Sequence, residues 1–215
     1  MPLLQTVLEF PRRTASVLAM LASLGAMAPA CALDTQGVLA LLAQTRQGQA
    51  KFTETKHLAM LERPVKSTGT LSFQAPSHLE KITLEPKPES VVLEGDNLSI
   101  TRNGKTLRVN LRSHPQALAF VEAIRGVLLG DFQLLDQGYT TQLGGNEANW
   151  VLVLRPKDKQ VSDAIQQINV GGQNGWVRSI ELVQADGDRS VMQIEPQTVS
   201  QTTQPSIPPS DTGKP

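Results

Sequence analysis

The sequence predicts an α+β fold: a single curled antiparallel sheet, with one helix before it and one inserted between its halves. Three observations carry this. From Gly69 to Leu111 aliphatic and polar residues alternate with a period of two, the mark of strands with one buried face. From Ala117 to Leu128 the apolar spacing becomes that of a helix. Beyond Tyr139 the two-residue alternation returns.

Taken in order, residues 1–32 read as a cleavable secretory signal peptide. Arg12 and Arg13 precede the apolar run Ala15 to Ala30, and small residues follow at Ala30-Cys31-Ala32. Cys31 is the only cysteine, so the mature chain is expected to hold no disulfide. Asp34 is placed to cap a helix running to Gln47, with Val38, Leu41, Leu42 and Thr45 on one stripe and Gly48 as its stop. Gln49 to Leu61 reads as a strand that Arg63-Pro64 ends.

The sheet proper follows. Leu71 and Phe73, Ile82 and Leu84, Leu98 and Ile100, and Leu107, Val109 and Leu111 form its predicted oily face. Lys81, Thr83 and their counterparts are expected on the opposite side, and Glu80-Lys81 reads as part of a solvated, mixed-charge rim. Turns are predicted at Ala75-Pro76-Ser77, Pro86-Lys87-Pro88, Gly95-Asp96-Asn97 and Asn103-Gly104. The last is a strong hairpin signal, because a type I′ turn needs positive φ at both central residues. Ser113 and Gln116 suggest a capping box opening the helix 115–129, and Gly130 closes it. Asp131 to Gln137 has room for one more helical turn.

Five strands are expected beyond it: Tyr139 to Leu143, Trp150 to Leu154, Gln166 to Val170, Gly175 to Gln184 and Arg189 to Ile194. Gly144-Gly145-Asn146 and Asp186-Gly187-Asp188 read as their turns. Trp150, Leu152 and Leu154 share one face, as do Trp176, Ile180 and Leu182. The globular region is thus 33–196. Residues 197–215, rich in Ser, Thr, Gln and Pro, read as a disordered tail.

Composition narrows the function. The formal net charge is +0 and aromatic residues make up 4%, which argues against a nucleic-acid partner. His57, His78 and His114 stand apart, with no second ligand at metal-binding spacing. No nucleophile elbow, zinc-protease motif or phosphate-binding glycine loop occurs. The reading is therefore no catalytic residues, no metal and no cofactor. A sheet of on the order of ten strands, about 4.8 Å apart, is too wide for one helix of this length to cover. Either the helix fills an ordinary core, or an apolar cavity remains that suits acyl chains.

A resemblance to a known family gives this more content. Phe52-Thr53-Glu54, Gly69-Thr70-Leu71-Ser72-Phe73 with Ala75-Pro76, and Leu84-Glu85-Pro86 carry it. So do Glu94-Gly95-Asp96-Asn97-Leu98, Glu122-Ala123-Ile124-Arg125-Gly126, Trp150-Val151-Leu152 and Gly187-Asp188-Arg189-Ser190. In this order they resemble the LolA-type outer-membrane lipoprotein carriers, in the divergent LolA-related branch. The resemblance implies an unclosed β-barrel with helices as a lid over a hydrophobic cavity. It implies a monomeric periplasmic carrier that moves acylated lipoprotein or lipid cargo from an inner-membrane donor to an outer-membrane acceptor.

On that basis Leu71, Phe73, Ile82, Leu84, Leu98, Ile100, Leu107 and Val109 are the expected cavity residues, and Phe120, Val121, Ile124 and Leu128 the expected lid. The familiar carriers place an Arg before the proline that follows the G-x-L strand, where it helps latch the lid; here that position is Ala75. Alternatives are a lipid-sensing regulator or an accessory factor of an acyl-lipid or aryl-polyene pathway on the same fold, and an enzyme of lipid-linked glycan or polyene assembly.

Overall fold

The computed structural model describes residues 34–197, so the expected signal peptide and the expected tail lie outside the described residues, except for Gln197, which belongs to the last strand. Eleven antiparallel strands form one sheet: β1 (Gln47–His57), β2 (Val65–Gln74), β3 (His78–Glu85), β4 (Glu89–Glu94), β5 (Asn97–Arg102), β6 (Lys105–Asn110), β7 (Tyr139–Asn146), β8 (Asn149–Pro156), β9 (Ile165–Gln173), β10 (Trp176–Gln184) and β11 (Arg189–Gln197). Their spatial order is β6-β5-β4-β3-β2-β1-β11-β10-β9-β8-β7. Two meanders thus meet where the first strand pairs with the last. Phe52 lies opposite Ile194 and Glu54 opposite Met192. The sheet remains open, with β6 and β7 as its edges, and has the curled α+β form the sequence predicts.

Helix α1 (Thr35–Leu42) precedes the sheet, and Asp34 Oδ1 accepts the Gly37 amide at 2.7 Å as expected of the cap. The helix ends at Leu42 rather than Gln47, and Gly48 lies inside β1. Helix α2 (Pro115–Leu129) and the short α3 (Phe132–Gly138) occupy the crossover from β6 to β7, and α4 (Lys159–Ser162) is one turn before β9. The capping box does not form. Pro115 starts α2, whose cap His114 makes no side-chain hydrogen bond, while Ser113 ends a 3-10 turn, Leu111–Ser113. Gly130 closes α2 at φ 67°, in the left-handed region that favours glycine. Asn103 and Gly104 have φ of 49° and 73°, as the predicted hairpin turn requires.

The core lies on one half of the concave face. Val38, Leu39 and Leu42 of α1, Ala123 and Val127 of α2, and Leu135 of α3 pack on Trp150, Leu152, Leu154, Ile168 and Val170. Burying an aliphatic side chain of this size contributes roughly 1.5–3 kcal/mol. Trp150 is fully buried, and its indole N–H donates to the Asn174 carbonyl at 2.9 Å. Its ring lies over Gly172, where a Cβ would run into the indole.

Here Gly144 and Gly145 depart from the turn expected of them. They belong to β7, with Gly145 opposite Trp150, and the hairpin turns at Glu147-Ala148 instead. On β10 a register shift between Val177 and Ser179 brings Val177, not Trp176, onto the buried face with Ile180 and Leu182, and Trp176 is 43% exposed. Replacing Trp150 with Ala is expected to cost about 3–5 kcal/mol of folding stability, measured by denaturant unfolding.

Candidate functional site

The other half of the concave face is not filled. Residues opposite one another in an antiparallel ladder point to the same side. The unshifted registers therefore place Leu71, Lys81, Val91, Ile100 and Leu107 in one row across β2–β6, and Phe73, Leu79, Leu93, Leu98 and Val109 in the next. Between these rows and α2 lies a cavity of about 290 Å³. Its sheet wall includes Leu71, Phe73, Leu79, Val91, Leu93 and Leu98. The helix wall is Phe120, Val121, Ile124 and Leu128, and Ile180, Met192 and Ile194 bound it towards the packed half.

Helix α2 thus has two apolar faces. Ala123, Gly126 and Val127 are buried in the core. The stripe Phe120, Val121, Ile124 and Leu128 borders the cavity and is only partly covered. Of the expected cavity residues, Leu71, Phe73 and Leu98 line it. Ile100, Leu107 and Val109 share its face but lie towards the open edge, beyond its walls, and Leu107 is 60% exposed.

Ile82 and Leu84 are on the opposite side. The register pairs Phe73 with Leu79 and Leu71 with Lys81, so the odd-numbered residues of β3 face the cavity. Leu84 is 57% exposed on the outer surface, in a shallow depression with Lys51, Thr53 and Glu195. A one-residue change of register reverses every side chain of a strand. A shift between Thr68 and Gly69 adjusts the β2–β3 ladder here. Gly69 admits it through its close packing: a Cβ would meet the Ile82 carbonyl and lie 2.8 Å from the Phe52 ring.

The same register turns Lys81 inward, away from the solvated rim expected of it. Its ammonium lies 2.5 Å from Glu54 Oε2 and 5.0 Å from the centroid of the Phe52 ring. Glu54, on the central strand β1, is 5% exposed. Besides Lys81, its carboxylate accepts from Ser190 Oγ at 2.7 Å and Ser67 Oγ at 3.4 Å, with Lys56 Nζ at 3.5 Å. Burial alone would raise the Glu54 pKa. The hydrogen bonds from Lys81 and Ser190 and the charges of Lys81 and Lys56 together outweigh it and hold the carboxyl below its ordinary value. Sequence reasoning missed this pair. The available signal was parity, since Glu54 continues the inward series Ala50, Phe52.

Within α2, Arg125 Nη2 donates to the Gly95 carbonyl at 2.5 Å, and Nη1 is 3.8 Å from Asp96 Oδ1. Asp96 also accepts from Arg112 Nε at 2.8 Å, and its carbonyl accepts the Leu111 amide at 2.8 Å. The β4–β5 turn is thereby tied both to the chain entering α2 and to the middle of the helix. Ala75 contributes no side-chain tie; its amide donates to the Arg46 carbonyl at 2.8 Å. Among the described residues no group of three or more His, Cys, Asp or Glu is arranged to hold a metal ion.

Glu54 yields a pH prediction. Because its folded-state pKa is lowered, its contribution to stability is complete above the ordinary value of 4.5 and is lost as pH falls through the folded value. Glu54→Gln is expected to be less stable than the wild type at neutral pH and to lose less on acidification below 4.5, followed by tryptophan fluorescence.

Comparison with known proteins identifies this architecture. The family of outer membrane lipoprotein carrier protein LolA-like sequences matches residues 27–199. No curated protein matches the chain. The LolA superfamily protein NE2245 of Nitrosomonas europaea has 14% identity and a TM-score of 0.42, over 76% of this chain and 92% of its own. The lipoprotein LppX of Mycobacterium tuberculosis has 10% identity and a TM-score of 0.39, over 74% and 93%. The MucA/MucB complex structure from Pseudomonas aeruginosa gives 14% identity and a TM-score of 0.43, over 77% of this chain and 58% of that one. The family match spans most of the sequence, and the chain belongs to the LolA-like family of outer membrane lipoprotein carrier proteins.

Proposed function

We propose that the protein is a non-catalytic periplasmic carrier that takes the acyl chains of a lipoprotein or related lipid into the cavity beneath α2 and ferries them to the outer membrane. The observation that carries this is the cavity itself, walled by aliphatic and aromatic side chains in a member of the LolA-like family. Acyl chains are flexible and apolar, and they need burial rather than directional bonds. Residues 1–32 serve as the export signal and 33–196 as the carrier domain. The carrier acts as a monomer without cofactor or metal, receiving cargo from an inner-membrane donor and passing it to an outer-membrane acceptor. Helix α2 is the lid, and its core-facing side anchors it while the stripe Phe120, Val121, Ile124 and Leu128 yields to cargo.

Displacement of a fluorescent fatty acid by an acylated peptide tests this. The wild type is expected to bind both. Ile124→Asp, which puts a carboxylate into the apolar wall, is expected to weaken binding by at least about tenfold. Leu84→Asp, on the outer surface, is expected to leave binding unchanged. A protein that takes up neither ligand, or loses both equally with Leu84→Asp, would contradict the assignment.

A further inference from the structure

A second cavity, of about 400 Å³, adjoins the acyl cavity and adds charged side chains to an apolar lining. The two share Lys81, Phe120, Ile180 and Met192 as walls. Beyond that seam Leu58 and Leu182 continue the apolar lining, and Glu54, Lys56, Gln184, Arg189 and Ser190 add polar and charged groups to it. The charges are unequal: Glu54 is the one acid in this lining, against the cations Lys56, Lys81 and Arg189. Arg189 is engaged by Glu181.

The hydrogen-bond inventory points the same way. The Glu54 carboxylate accepts hydrogen bonds from Lys81, Ser67 and Ser190. An ammonium group carries three donors. Lys81 gives one to Glu54, so donors remain at the seam. Lys56, 3.5 Å from Glu54, adds a second ammonium that is 47% exposed towards the opening. The buried carboxylate orients the Lys81 ammonium before any ligand arrives, and with Lys56 beside it two ammonium groups face one carboxylate.

We propose that this second cavity is a headgroup subsite for an anionic amphiphile, whose carboxylate or phosphate is held by Lys81 and Lys56 while its acyl chain lies in the adjoining cavity. The inference rests on the carrier reading and deepens it by naming the cargo class. Chain burial supplies affinity, and the headgroup sets selectivity and direction of entry. The head is at the end where β1, β11 and β3 converge, and the chain tail points towards β5 and the Arg125–Gly95 tie.

The test compares myristate with its neutral analogue myristamide, by calorimetry at low salt near neutral pH, with monomyristoyl lysophosphatidate and inorganic phosphate as further arms. Myristate and lysophosphatidate are expected to bind about tenfold more tightly than the amide, the effect of a hydrogen bond to a charged group. Lys81→Gln is expected to bring the affinities for myristate and lysophosphatidate down to that for myristamide, with a wild-type circular dichroism spectrum showing the variant to be folded. Lys56→Gln, at the more exposed position, is expected to reduce the preference and carries the test if Lys81→Gln does not fold.

Equal binding of acid and amide by the wild type, or a preference that survives both substitutions, would overturn the subsite and leave the carrier reading intact. Inorganic phosphate binding as tightly as lysophosphatidate would overturn it in favour of a free-anion site. If no amphiphile binds the wild type, both the carrier reading and this inference fall.

Discussion

The pairing of the first strand with the last is the constraint on which the rest of the molecule depends. It brings β1 and β11 together at the centre of the sheet, from residues 49–57 against 189–197. Each meander then grows outward to its own edge, and the chain must cross the concave face between them. The crossover is α2 and α3, and it packs on β7–β9 because Leu152, Leu154, Ile168 and Val170 offer a continuous apolar surface there. The opposite meander has equally apolar rows but no second layer of helix, so its surface closes over space. An asymmetric filling of one curled sheet thus produces the cavity.

That arrangement also explains why a charged pair lies so deep. Glu54 is on the central strand, where both neighbours are paired and the side chain cannot reach solvent. A buried carboxylate is tolerated only with partners, and Lys81, Ser190 and Ser67 supply them from β3, β11 and β2. Through Ser190 of β11, Glu54 also joins the second meander to the first, at the seam between the two cavities. Arg125 does a comparable job at the opposite end, where the helix reaches the sheet through a backbone carbonyl of the β4–β5 turn. Tyr139 of β7 adds a second tie, its hydroxyl donating to the Ala119 carbonyl of α2 at 2.8 Å, whereas the Ala75 side chain makes none.

Much of this was legible in the residues. Trp150, Leu152 and Leu154 announce a buried face through strict alternation, and Asn103-Gly104 specifies its turn by backbone chemistry alone. The apolar stripe Phe120, Val121, Ile124 and Leu128 on α2 is legible in its helical spacing. Strand β3 was misread because both parities of His78–Glu85 carry aliphatic residues, and the deciding information is its pairing with β2, a long-range fact. Gly144-Gly145 looked like a turn because glycine often marks one, whereas here Gly145 lies opposite the indole of Trp150. Lys81 was read as a surface residue for the same reason that hid the second cavity: its partner, Glu54, is 27 positions away.

The central claim is that the open half of the concave face holds acyl chains. Native mass spectrometry of the mature protein, purified gently from the periplasm and followed by lipid extraction, tests it most directly. The account predicts a bound acyl species, released on denaturation, whose mass is lost from the Ile124→Asp variant. A protein that emerges empty, and stays empty when offered lipid and acylated peptide, would contradict it and mark the space beneath α2 as a packing defect of an ordinary core.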